Sequence, residues 1–191
     1  MVGRGLSEFY ARDIHQPGDC VLKAVNVVSP TYPEIPVSIE VRAGEIVGIA
    51  GLVGAGRTEL LQTFFGVTPS LGGELEVEGV SFSPCSPADA VCAGLALAPE
   101  DRKQHGLVLP MTVRENASLP SLDRDQKMGF LDHSKEKEIA DESVEQMKIK
   151  TPSIEQAARF LSGGNQQKIV LGKWLAMNPK LLMLDEPTRG I

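Results

Sequence analysis

Residues 51–58 (GLVGAGRT) have the composition and spacing of a loop that wraps phosphate groups. Glycines let successive backbone N–H groups turn inward around phosphate oxygens. A helix starting at Thr58 would present its positive end to the same anion. Gly51, Gly54, Ala55, Gly56, Arg57 and Thr58 are therefore the candidate phosphate-lining residues, and the Thr58 hydroxyl is a candidate ligand for Mg²⁺. The pattern G-x-x-x-x-G-K-[ST] is met at every fixed position except one, where Arg57 replaces lysine. Arginine keeps the charge but is larger, planar and differently hydrated, so the exchange is not conservative. It predicts a loop that binds nucleotide with slow or no hydrolysis. The plain alternative is a glycine-rich turn that serves only tight packing. A dinucleotide fingerprint fits less well, because Glu59 stands where a third glycine is wanted.

Two further segments carry chemistry. Leu181-Leu-Met-Leu184 is followed by Asp185 and Glu186. In a phosphate-loop fold that strand is expected beside the loop strand. Asp185 would then hold Mg²⁺ and Glu186 would polarise an attacking water. Taken alone, two acids at a strand end need mean nothing more than solvation. Ser162-Gly163-Gly164, ahead of a helix, is a second anion site of the helix N-terminal kind, or an ordinary cap. Two such sites far apart in one chain suggest two bodies, each closing over a nucleotide held by the other.

The elements that must position these residues can be read from periodicity and punctuation. Residues 20–28 are strand-like. Ser29 to Pro36 contains three prolines and reads as a loop. Val37, Ile39 and Val41 alternate with polar residues in a half-buried strand. Residues 46–50 (IVGIA) are apolar on both faces, as a central buried strand should be. A helix is expected from Thr58 to about Phe65. Residues 74–78 (ELEVE) alternate as an edge-type strand. Ser86-Pro87 opens a short helix that Gly94 ends, and residues 95–98 form a buried strand. Thr112-x-x-Glu115 and Ser153-x-x-Gln156 are capping boxes. Residues 135–148 form a charged helix with Ile139, Ala140, Val144 and Met147 on one face. A helix runs from about Gly163 to Met177, and residues 180–184 form a last buried strand. Strands and helices alternate, so the class is α/β. A small antiparallel β subdomain lies beside the core, and residues 101–160 form a largely helical subdomain. Residues 1–19 read as a tether.

Composition excludes several classes. The chain has 191 residues, enough for one domain with a substantial core. Its formal charge is −6, against a general nucleic-acid binder. No run of 18 apolar residues occurs, and the first residues lack the apolar core of a secretory signal. Cys20, Cys85 and Cys92 have no CxxC spacing and read as buried reduced thiols. His15, His105 and His133 form no metal motif.

LSGGNQQK (161–168) upstream of LLMLDEPTRG (181–190), with the loop at 51–58 before both, resembles the ABC-type ATPases. The match covers roughly residues 20–191. APEDRK (98–103), Gly106-Leu107 and the T-x-x-E-N segment (112–116) resemble, more narrowly, the second ATPase domain of bacterial monosaccharide importers of the ribose, galactose and xylose kind. In that group two ATPase domains share one chain, and the second carries arginine in its phosphate loop. MVGR (1–4) resembles the end of the first domain, so residues 1–19 read as interdomain linker and 20–191 as a partial ATPase domain.

The resemblance implies a P-loop NTPase fold of ABC type with a mixed core sheet. It implies ATP and Mg²⁺ as cofactors, with Thr58 and Asp185 on the metal and Glu186 as catalytic carboxylate. Ser162, Gly163, Gly164 and Gln166 would contact the γ-phosphate held by a partner domain. Glu100 falls where the family has a glutamine that signals to the membrane subunits. Tyr32 is an adenine-stacking candidate. Implied partners are a second ATPase domain, transmembrane permease subunits and, indirectly, an external sugar-binding protein, but not nucleic acid. The implied location is the cytoplasmic face of the bacterial inner membrane. A switch histidine and further core strands, expected after Ile191, are not in the sequence, so the isolated chain is expected to be marginally stable with negligible ATPase activity. A non-catalytic module that lends only its Ser-Gly-Gly stretch to a partner is the competing reading.

Overall fold

Alternating apolar residues in the first half of the chain build an antiparallel sheet. A computed structural model describes residues 16–187. The expectations placed on residues 1–15, including the tether and its likeness to a domain end, and on residues 188–191 lie outside these. Strand β1 (Cys20–Val28) pairs antiparallel with β2 (Val37–Arg42) on one side and β3 (Gly72–Val77) on the other. A short β4 (Val80–Ser81) completes the order β2-β1-β3-β4. Leu22, Ala24, Val27, Val41, Leu75 and Val77 turn inward. The expected edge strand at 74–78 is thus an interior strand with a partner on each side. Alternation reports one buried face, and it says nothing about whether both edges are paired.

Helix α1 (Arg57–Phe64) packs Leu60 and Phe64 on this sheet. Helix α2 (Pro87–Ala93) starts as its sequence demands. Ser86 accepts a bond from the Asp89 amide, Pro87 supplies the first turn, and Gly94 ends it in a left-handed conformation. Strand β5 (Leu95–Ala98) follows, buried throughout. It pairs in parallel with β6 (Leu181–Leu184), with Leu95 opposite Leu181 and Ala98 opposite Leu184. The Asp185 amide continues the ladder to the Ala98 carbonyl at 3.0 Å. Glu100 and the Asp185-Glu186 pair therefore leave this sheet at the same end.

The expected central strand at 46–50 is not formed among the described residues. Ile46 is 88% exposed, Val47 36% and Ile49 40%. An open cleft of about 650 Å³ separates this stretch from β6 and from Phe64. A segment apolar on both faces is held as a strand only by a neighbour on each edge and a layer on each face. For the same reason β6 is less buried than its composition suggests. Only Met183 is fully covered, and Leu184 is 43% exposed. Cys85 and Cys92, expected inside, are exposed free thiols: Cys85 precedes α2, and Cys92 lies off the face by which α2 packs Ala90 and Val91 on the core.

The helical region is built from α3 (Val113–Ser118), α4 (Leu122–Asp125) and α5 (His133–Met147). The capping box at Thr112 and Glu115 closes reciprocally. The Thr112 hydroxyl accepts from the Glu115 amide at 3.1 Å, and the Glu115 carboxylate accepts from the Thr112 amide at 2.8 Å. The other first-turn amides of α3 donate to the carbonyls of Gln156 and Ile154, each at 2.9 Å. Those carbonyls are thus committed to α3. Ser153 and Gln156, expected to open a helix, instead form a turn leading to a 3₁₀ turn at Ala158–Phe160. Helix α5 begins at His133 because Asp132 caps it, accepting from the amides of Ser134 and Lys135. Ile139 and Ala140 are buried as expected, with Glu136 and Ser143 beside them. Glu136 is held by Arg114 at 2.9 Å, and Arg114 also pairs with Glu155 at 2.8 Å.

Helix α6 (Gly163–Leu175) crosses this region and buries Gln166, Ile169, Val170 and Lys173 at helical spacing. The Lys173 ammonium donates to the carbonyl of Gly106, the last residue of a π-turn at Arg102–Gly106. Burial lowers the Lys173 pKa to about 8. Between that value and 10.5 the unfolded chain binds the extra proton, so this group adds stability as pH rises through the window. Urea midpoints at pH 7.5 and 9.5 are expected to show the parent gaining about 2 kcal/mol over Lys173→Met. Parallel pH curves for the two chains would count against the buried ammonium.

Candidate functional site

Residues 51–56 stand clear of the sheet as a turn, with Gly54 at φ +80° and Gly56 at φ +85°. Both are left-handed positions that glycine adopts without a Cβ penalty. Within the turn the Ala55 amide donates to the Leu52 carbonyl at 3.1 Å. Gly56 opens α1 with no side-chain cap, which leaves the helix's positive end to an external anion. Tyr32, the adenine-stacking candidate, lies on this loop. Its hydroxyl donates to the Gly54 carbonyl at 2.6 Å. Its ring closes over Gly56 so tightly that a Cβ there would come within 2.7 Å.

Arg57 reaches back across its own loop. One guanidinium nitrogen donates to the carbonyls of Gly51 and Leu52. The other pairs with Glu186 at 2.9 Å. Sequence reasoning named both residues but gave no sign that they pair. Glu186 itself sits at φ +42°, uncommon for a residue with a side chain.

Thr58 and Asp185 also meet. Asp185 is 5% exposed. Burial raises its pKa above the usual carboxylate range and Glu186 adds repulsion, while a hydrogen bond from Thr58 and the charge of Arg57 pull it back. Hydroxyl and carboxylate oxygens are the donors that Mg²⁺ takes, usually one or two from protein with phosphate supplying more. A dication here would relieve the strain of a buried acid, so these residues fit the metal that the sequence implied. Among the described residues no cluster of three or more His, Cys, Asp or Glu could hold an ion by itself.

The second candidate stretch forms the start of α6. Ser162 is exposed and caps the helix, accepting from the Asn165 amide. Gly163 and Gly164 are half-buried. Gln166 turns inward, with its amide nitrogen on the Ala158 carbonyl at 3.0 Å and its carbonyl oxygen buried without a partner. Ser162, Gly163 and Gly164 can face a neighbour, whereas Gln166 belongs to the interior. Glu100 is half-buried at the exit of β5, just before Asp101 caps the π-turn. Two residues to which the sequence reading gave no role of their own complete the framework. Lys173 ties α6 to that π-turn, and Asn116 holds residues 108–112; only the helical spacing of Lys173 with Ile169 and Val170 signals the first.

This fold is that of an ABC-type ATPase domain. The family model described as ABC transporter matches residues 35–189, and the chain belongs to that family. The ribose import ATP-binding protein of Chromobacterium violaceum is 44% identical over 191 residues, all of this chain and 38% of that protein. The xylose import ATP-binding protein of Thermoanaerobacter pseudethanolicus is 45% identical over 199 residues, again all of this chain and 39% of that protein. The chain thus spans well under half the length of these relatives. Among solved structures, a dimeric post-hydrolysis ATP-binding cassette bound to ADP and Pi shares the fold at a TM-score of 0.72 and 20% identity, covering 89% of this chain and 75% of that one. A component of the Clostridium perfringens complex cbiONQ does so at a TM-score of 0.70 and 20% identity, covering 91% and 68%.

Proposed function

We propose that this chain is the ATP-binding, energy-coupling part of a monosaccharide importer, with a degenerate phosphate loop. The observation that carries it is the convergence of Arg57 and Thr58 with Asp185 and Glu186, residues remote in sequence. The loop amides and the α1 N-terminus bind phosphate, and Thr58 and Asp185 would hold Mg²⁺. The metal would supply charge neutralisation on the phosphates. Glu186 orients water, and Ser162, Gly163 and Gly164 close over nucleotide held by a second ATPase domain. Catalysis in this scheme is positioning and electrostatics. The Glu100 loop and the helical region pass the motion to permease subunits, which receive sugar from an external binding protein. The place of action is the cytoplasmic face of the inner membrane, with the chain peripheral to it. No described helix is long and apolar enough to cross a membrane. The sugar-import relatives support this assignment through their names and full-chain similarity.

Titrating the chain with ATP and Mg²⁺ tests the nucleotide step. Thr58→Ala with Asp185→Asn is expected to weaken Mg²⁺-dependent binding about tenfold, and chelating the metal should weaken the parent to the same level. Binding that ignores both the substitutions and the chelator would overturn the site.

The non-catalytic reading is favoured by one observation: Glu186 is already engaged by Arg57. Glu186→Gln in the longer protein separates the two. ATP trapped at this site means the parent hydrolyses it there, and an unchanged nucleotide content means the site is structural.

A further inference from the structure

The geometry points to an internal latch in which Glu186 and the carbonyls of the phosphate loop hold Arg57, so that nucleotide and Glu186 compete for one guanidinium. This rests on the reading of residues 51–58 as a nucleotide loop. Arg57 is the sole charged residue in that stretch. Three acceptors occupy it: the carbonyls of Gly51 and Leu52 and a carboxylate oxygen of Glu186. The planar fork of donors serves the loop through one nitrogen and a distant carboxylate through the other.

The exposure of the pair suits a switch. The Arg57 side chain is 22% exposed and that of Glu186 42%. Such a pair is weak enough to be opened by a stronger anion. A triphosphate is such an anion, with more charge and more acceptor oxygens than one carboxylate. While latched, Glu186 is neutralised by Arg57 and cannot polarise water, and the loop's cation is unavailable to phosphate. Once nucleotide takes Arg57, Glu186 is released. Tyr32 also holds the loop through the Gly54 carbonyl, so the exchange is a movement of the guanidinium on a braced loop. Filling the site and freeing its carboxylate are then one event, and the ion pair sets a threshold for both.

A double-mutant cycle tests the latch. The parent, Glu186→Gln, Arg57→Gln and the double variant are titrated calorimetrically with a non-hydrolysable ATP analogue and Mg²⁺, after circular dichroism confirms that each is folded. In the parent background Glu186→Gln is expected to tighten binding about threefold. In the Arg57→Gln background it is expected to change little. Where Arg57→Gln binds too weakly to measure, Arg57→Lys serves as the second background, and the gain from Glu186→Gln should shrink there. An equal gain in both backgrounds means simple repulsion between Glu186 and phosphate, and overturns the latch. Unchanged or weaker binding by Glu186→Gln in the parent overturns it as well. Absence of binding by all chains, parent included, overturns the nucleotide-loop reading itself.

Discussion

Gly56→Ala is expected to lower the affinity for ATP by about 30-fold or more. Gly56 sits at φ +85°, where alanine costs about 1–2 kcal/mol. The added Cβ would also come within 2.7 Å of the Tyr32 ring, so the ring must leave and its 2.6 Å bond to the Gly54 carbonyl must break. That bond contributes about another 1 kcal/mol. Together these give the predicted loss at about 1.4 kcal/mol per factor of ten. Tyr32→Phe isolates the hydroxyl and should cost only about fivefold. Tyr32→Ala placed on Gly56→Ala relieves the clash and should restore part of the affinity. Calorimetric ATP titrations of the four chains check this, and near-parental affinity in Gly56→Ala would show that the loop tolerates a side chain.

Asn116→Ala is expected to destabilise the fold by about 3 kcal/mol. The residue is fully buried. Its side-chain oxygen accepts from the Val108 amide at 2.8 Å, and its nitrogen donates to the carbonyls of Val108, Met111 and Thr112 at 3.0, 3.3 and 2.9 Å. Truncation removes four bonds at once: it takes the Val108 amide's acceptor and leaves the carbonyls of Val108, Met111 and Thr112 with one backbone donor each, so the combined cost exceeds the net worth of any one bond. A loss of this size is a large fraction of ordinary domain stability. Asn116→Asp, close in shape, keeps the acceptor but aims a carboxylate at three carbonyls. It should destabilise at least as much at pH 7 and recover as pH falls, because the protonated acid can donate again. Urea midpoints of both variants at pH 5 and 7 measure this. A loss below about 1 kcal/mol for Asn116→Ala would mean that the 108–112 loop finds other partners.

The loop at 51–58, the Thr112–Glu115 box, the Ser86 cap and the Gly94 stop were all legible because each depends on residues within a few positions of one another. That Asp185 and Glu186 would lie at the loop was legible from their place after an apolar strand, and they meet Thr58 and Arg57 there. Less legible was anything that depends on choosing among partners. Ser153 and Gln156 carry the spacing of a capping box, yet the carbonyls around them are claimed by the amides of α3. Gln166 lies in the LSGGNQQK stretch, yet helical phase sends it inward to Ala158. Residues 46–50 have the composition of a central strand and lack the flanking ladders that would make them one.

By itself, then, the sequence determined the α/β class, the positions of two glycine-rich stretches that lead into helices and the acids that accompany the first. Those follow from local backbone freedom, capping chemistry and charge. Only the tertiary structure decided that Arg57 grips Glu186, that Tyr32 braces Gly54, and that Lys173 is buried against the π-turn. Each is a contact between elements remote in the chain, and which groups meet there is set by how the helices and strands pack.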